Sequence, residues 1–300
     1  MIMNPNVSSG WGCLSMIARD RAFGWALLVL ALCVFLPRNG FGADGKPVLL
    51  YSRYFNAEGE DRYLSDGTYA EVIRRLQGVF DVRVHARALD GKTLEGVRLL
   101  MIVNPSDQAV GTNAPPHHVG QADIKELTRF VQGGGGLIVM GNQENHNLEV
   151  PDMNRLLVHF GLQFTNLYTD AKKLVLPQTT PLIGGLRWGY YTGNLLLVDP
   201  SHPARPQGLV PNDLAQKPIK GTRDQEGILL ATAVPGRGRV VAVTDAGWLA
   251  NWALSDEGIG GLAITGQDNW EIFRRLAEWA AGLGKDRVPP DAKSKRRTLF

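Results

Sequence analysis

Four glycines, Gly133 to Gly136, lead into the apolar Leu137-Ile-Val-Met140 and then into the polar Gly141-Asn-Gln-Glu-Asn-His-Asn147. This stretch constrains the chain more than any other. Glycine ends the preceding helix, because a helix C-terminus often closes in the left-handed conformation, which glycine adopts without a Cβ penalty. The apolar residues have the length of a buried strand, and their unbroken run implies a sheet covered on both faces. In an open α/β sheet, ligands bind beyond the carboxyl ends of the strands. The polar residues after Met140 are therefore the first place to look for chemistry.

The other elements fall in place around that strand. Residues 46–52 read as a first strand, and a helix capped by Ser65 or Asp66 runs to about Gln77 with Tyr69, Val72, Ile73 and Leu76 at helical spacing. Strands follow at 80–85 and 97–103, the latter emptying into Asn104-Pro-Ser-Asp107. A loop with His117 and His118 leads to a helix at 121–131, and another helix follows the central strand at 152–160. This succession predicts a flavodoxin-like three-layer α/β sandwich. Residues 163–227, rich in proline and glycine, read as an irregular insertion of short strands and loops over one sheet edge. A hairpin follows, with arms at 228–234 and 239–244 around Pro235-Gly-Arg-Gly238, and a last helix spans 268–281.

The two ends of the chain stand apart. Arg19 and Arg21 precede the apolar residues 22–36, and small residues follow near Gly42, the pattern of a secretory signal peptide over residues 1–42. Met16 is a candidate true start, with residues 1–15 upstream of it. The apolar core has roughly 15 residues, short of the ~20 that a membrane span needs, so a membrane attachment would come only through an uncleaved leader. Both cysteines, Cys13 and Cys33, lie in the leader. The mature chain thus has no thiol for a disulfide, a metal or nucleophilic catalysis. Losing the leader removes three arginines and one aspartate from a net charge of +3, leaving a balance that argues for no nucleic-acid partner. The expected domain is 46–283, followed by a disordered tail at 284–300. The expected location is exported, periplasmic or extracellular.

Three stretches carry a resemblance: Gly236-Arg-Gly-Arg-Val-Val-Ala-Val-Thr-Asp245, Trp248-Leu-Ala-Asn251 and Asp268-Asn-Trp-Glu-Ile-Phe-Arg-Arg-Leu-Ala-Glu-Trp279. Together they are similar to the C-terminal signature of amidotransferase-like domains found in auxiliary components of gliding-motility ABC transporters and in an intraflagellar transport subunit. Those domains resemble class I glutamine amidotransferases in fold. Their hairpin carries a Gly-x-Gly-Arg turn, with an aspartate at the strand end and an asparagine a few residues on. Trehalose-utilisation-type proteins share the same layout. In catalytic class I amidotransferases the nucleophilic cysteine sits on a sharp turn after the strand matching Leu137 to Met140. Here that turn is Gly141-Asn-Gln-Glu144, so the family's triad does not carry over and a cysteine-dependent glutaminase is not expected.

Two readings of function follow. In the first, the chain is an exported, non-catalytic binding or scaffolding domain for a small polar ligand or an envelope protein. Its ligand-binding candidates are Ser52, Asn104, Asp107, His117, His118, Asn142, Asn145, Trp248 and Asn251. Ser52, Asn104, Asn142, Glu144, His146 and Asp245, each at or just past a predicted strand end, are expected to border one pocket, with His117 and His118 as one wall and the aromatic hairpin around Trp188, Tyr190 and Tyr191 as a roof. In the second, Glu144, His146 and Asp245 act as the acid/base groups of a hydrolase on a polar, perhaps saccharide, substrate. No Walker or dinucleotide pattern is present, so no cofactor is expected, and no spacing points to a metal.

Overall fold

The computed structural model describes residues 42, 45–255 and 267–283. The leader, apart from its last residue, and the tail at 284–300 lie outside the described residues, as does the side chain of Glu144. The strands are β1 (Val48–Ser52), β2 (Asp81–His85), β3 (Val97–Val103), β4 (Gly136–Met140), β5 (Leu162–Val175), β6 (Arg187–Tyr190), β7 (Gly193–Val198), β8 (Gln207–Pro211), β9 (Lys220–Asp224), β10 (Ile228–Ala233) and β11 (Arg239–Val243). The helices are α1 (Ala70–Leu76), α2 (Gln121–Gln132), α3 (Pro151–Leu157), α4 (Asn251–Leu254) and α5 (Asn269–Ala280). Among the described residues no helix is long and apolar enough to cross a membrane.

The eleven strands form one mixed sheet in the order β2-β1-β3-β4-β11-β10-β7-β5-β6, with β8 paired to β10 and β9 to β5. From β2 to β11 all neighbours are parallel. From β11 onward they are antiparallel. Val103 pairs with Met140, and Met140 with Val243, so β3, β4 and β11 end level at one edge. The unbroken apolar run of β4 has the predicted cause. Ile138 and Met140 enter a core that also holds Val72 and Leu76 of α1 and Phe273 and Leu276 of α5, while Leu137 and Val139 enter a second core with Leu127 of α2 and Leu156 of α3.

Two expectations change. The first helix starts at Ala70 rather than at a Ser65 or Asp66 cap. Residues 64–69 fold as turns, and the first-turn N–H of Glu71 is capped from a distance by Asn251 Oδ1 at 2.9 Å. The segment 163–227 is more regular than proline and glycine content suggests. It carries β5 to β9, which extend the sheet as an antiparallel lobe, and β5 alone runs for 14 residues. Lys172 pins this lobe from within. Fully buried, its ammonium donates to Asp224 Oδ1 at 2.7 Å and to Asn212 Oδ1 and the Asp213 carbonyl, both at 2.8 Å.

The lobe meets the parallel half where β7 begins. At Gly193 a Cβ would overlap the Thr244 carbonyl oxygen, a backbone atom that cannot swing aside. Gly193→Ala is therefore expected to cost about 3 kcal/mol, at the upper end of overpacking penalties. Urea unfolding monitored by tryptophan fluorescence measures it; a loss under about 1 kcal/mol would mean that the β7–β11 approach is slack.

Candidate functional site

The parallel strands end together, and polar side chains from each strand end meet there. Asn104, just past β3 with φ of 44°, accepts the Asn142 N–H on Oδ1 at 2.9 Å and donates from Nδ2 to the His146 carbonyl at 2.8 Å. Asn142, just past β4, donates from Nδ2 to the Tyr63 hydroxyl at 3.2 Å, and its carbonyl accepts the Asn194 N–H at 2.8 Å. Thus Asn142 is a buried brace between the two halves of the sheet.

Past that brace the chain turns through a short 3-10 segment, Glu144–His146, into a cleft of about 240 Å³. Its walls are Gln143, Asn145 and His146 from this turn, Asp170 and Ala171 of β5, Tyr191 and Thr192, and Lys220, Gly221 and Arg223 of β9. Asp170 holds β9 over the cleft, accepting the Arg223 guanidinium at 2.7 Å and its N–H at 2.9 Å. Burial pushes the Asp170 carboxyl up, but the bonds from Arg223 outweigh it and the net shift is downward. Gly221, at φ of 87°, lets β9 approach, since a Cβ there would strike the Asp170 carboxylate.

Three polar atoms at this turn have no partner although they are buried: Asn142 Oδ1, Gln143 Oε1 and His146 Nδ1. Gln143 donates its Nε2 to the Thr192 hydroxyl, which leaves the amide oxygen aside. The His146 imidazole is held below its ordinary range by burial first, then by the charges of Arg62 and Arg223, so the ring is neutral at pH 7. Of the residues carrying these atoms, Gln143 and His146 line the cleft, where a solute or ordered water can complete the network, and Asn142 does not.

Most of the predicted site residues serve the fold instead. Among those whose side chains are described, only Asn145 and His146 line the cleft. Ser52 accepts the Tyr54 N–H at 3.3 Å and braces the turn after β1. His117 stacks on Tyr54 at 4.1 Å and faces Asp123, whose carboxylate accepts the Gly120 N–H at the start of α2. His118 Nε2 meets the Asp107 carbonyl at 3.0 Å and Nδ1 meets Asp152 at 3.3 Å, so this pair of histidines does not form a wall of the cleft. His118, Glu149 and Asp152 each present one ligand atom, all within 4.8 Å of one another, but both Glu149 oxygens already accept N–H groups at the start of α3. Trp248 is fully buried against Trp188 and Phe273, so it is core and not a ligand contact. Trp188 and Tyr190 are likewise fully buried, and of the aromatic hairpin Tyr191 alone reaches the cleft.

Asp245 is fully buried at the end of β11, behind Tyr191. It accepts N–H groups from Tyr191 at 2.6 Å, Gly247 at 2.7 Å and Trp248 at 3.3 Å. Burial raises its carboxyl to about 7 against the opposing pull of those donors. The residues missed from sequence are Gln143, Asp170, Thr192, Lys220 and Arg223. The signal available was Asp170 beside Lys172 inside a strand-like run, because a charge within a buried strand requires a partner from elsewhere.

Two outcomes test these assignments. Asn251 also donates from Nδ2 to the Gly67 carbonyl at 2.8 Å, so Asn251→Ala is expected to lower stability by about 1 kcal/mol, as loss of a helix cap does, without changing what the cleft binds. For Asp245, the folded pKa of about 7 lies above the ordinary aspartate value of 3.8. Between those pH values the folded chain keeps a proton that the unfolded chain has released, so stability falls as pH rises, by up to about 4 kcal/mol. Chemical unfolding from pH 4 to 8 should show this slope in the wild type and a flatter one in Asp245→Asn. Parallel slopes would mean that Asp245 is ionised throughout.

No protein-family model matches this sequence, and no curated protein matches it. Among solved structures it is similar to the mmIFT52 N-terminal domain, with a TM-score of 0.55 and 13% identity over 79% of this chain and 98% of that one. A putative thuA-like protein from Bacteroides uniformis has a TM-score of 0.46 and 12% identity over 81% of this chain and 93% of that one. One from Parabacteroides merdae has a TM-score of 0.45 and 17% identity over the same shares. The likeness to the mmIFT52 domain shows a glutamine amidotransferase-like α/β fold and carries nothing about activity.

Proposed function

We propose that this chain is an exported, non-catalytic binding module that holds a small polar ligand in the cleft between the β4 turn, β5 and β9. Two buried faces, each with helices packed on it, support a flavodoxin-like three-layer frame of the amidotransferase type. The observation that carries the reading is the pair of buried, partnerless atoms Gln143 Oε1 and His146 Nδ1 on residues that line the cleft. A volume of about 240 Å³ lies below the ~300–1,000 Å³ of drug-sized pockets, so the ligand is small. The leader pattern supports export. The resemblance to gliding-motility auxiliary subunits suggests an envelope partner as the second form of the same role.

The hydrolase reading pairs Glu144 and His146 with Asp245. Against it, the Asp245 carboxyl is enclosed by three backbone N–H groups and is absent from the cleft lining. Against it too, Asn142 and Gln143 replace any cysteine or serine at the nucleophile's turn.

Thermal denaturation of the full chain against sugars, polyols, sugar acids and amino acids tests the binding reading. A ligand at 100 times its Kd stabilises by about 2.7 kcal/mol, a readily measured rise in Tm. Gln143→Leu and His146→Ala should each reduce that rise without slowing any turnover, since none is expected. If no class of compound raises the Tm, or if the wild type hydrolyses a compound and His146→Ala does not, the binding module is the wrong reading.

A further inference from the structure

The charges around the cleft narrow the ligand class, on the premise, argued above, that the cleft binds a small polar ligand. Among its described lining residues the ionisable groups are His146, Asp170, Lys220, Arg223 and Tyr191, the last a phenol that burial keeps neutral. Asp170 and Arg223 neutralise each other at 2.7 Å, and nearby Glu60 and Arg62 do the same at 2.7 Å. His146 is neutral at pH 7, for the reasons given above. Lys220 is exposed on β9, and among the described residues no carboxylate pairs with it. Among the described side chains, the cleft therefore presents one uncompensated positive charge. Its place is set by β9, which Asp170 and Gly221 hold against β5.

The neutral polar groups add a second requirement. Gln143 is 1% exposed and its Oε1 is an acceptor without a donor. A ligand ammonium would satisfy it only by entering the field of Lys220, whose charge no described carboxylate offsets. A hydroxyl satisfies it without that penalty. It also pairs with His146 Nδ1 in either ring tautomer, because a hydroxyl both donates and accepts.

We infer that the ligand is a small polyhydroxylated carboxylate, a sugar acid, whose carboxylate meets Lys220 and whose hydroxyls meet Gln143 Oε1 and His146 Nδ1. Lys220 is then the residue that separates the acid from its neutral counterpart. It lies outside the buried network, so its substitution leaves the frame of the cleft intact.

Isothermal titration of the full chain with three probes tests this. Gluconate carries the carboxylate and the hydroxyls, sorbitol the hydroxyls alone, and hexanoate the carboxylate alone. Gluconate should bind at least about tenfold more tightly than either, the scale of one charge-assisted hydrogen bond, and its affinity should fall with added salt. In Lys220→Gln that advantage over sorbitol should shrink to about twofold or less, and Lys220→Arg should restore it. Sorbitol binding as tightly as gluconate overturns the acid, and hexanoate binding as tightly overturns the hydroxyls; in both cases the binding reading survives. No binding of gluconate overturns the inference outright. The binding reading then stands or falls on the broader thermal panel.

Discussion

Four parallel strands, β1, β3, β4 and β11, stop at the same edge of the sheet, and the backbone beyond them is buried. Each N–H and C=O that leaves the ladder there needs a new partner, because an orphaned buried backbone group costs about as much as a lost hydrogen bond. The polar residues at the strand ends answer that demand. Asn104 and Asn142 tie the ends of β3 and β4 together, and Asp245 gathers three N–H groups after β11. Asn251 performs the same service for the first turn of α1. Polarity at a strand end is therefore what the fold itself requires. It becomes a sign of function only where the accounting leaves atoms over, as it does at Gln143 and His146.

This distinction decides how much could be read from the chain. The parallel half was legible because its signals are local: apolar runs of strand length, helices with a buried stripe such as Ile124, Leu127 and Val131, and glycine after the helix. β3 lies at 97–103, as its apolar run indicates. The antiparallel lobe was not legible, because its order comes from pairs far apart in sequence. Asp170 meets Arg223 and Lys172 meets Asp224, each across more than fifty residues, and β5 bends through register shifts against both β7 and β9. No window of sequence holds both partners of such a pair. The same fact hid half the cleft, whose second wall is β9.

The candidate site divides along the same line. His146 and Asn145 were found because they stand in the polar run after β4, where the topology puts any ligand. Trp248, Asn251 and Asp245 came with the resemblance, and the structure uses all three to hold the fold: one in the core, one capping α1, one capping the turn after β11. The tie from the Asn194 N–H to the Asn142 carbonyl is of the same kind, because it joins the two halves of the sheet.

The distribution of protons also argues for what the cleft can do. Hydrolysis at neutral pH needs a group that can give up a proton and one that can take it, both within reach of the same atoms. Among the described side chains of the cleft, His146 is neutral and can accept a proton, but Asp170 is bound twice by Arg223 and held ionised, so it has no proton to give. Asp245, whose burial would let it keep a proton near pH 7, faces backbone N–H groups instead of the cleft. Among the described carboxyls near the cleft, Asp245 is thus spent on structure and Asp170 is committed to an ion pair. That distribution of protons favours the proposed binding reading over hydrolysis by these described side chains.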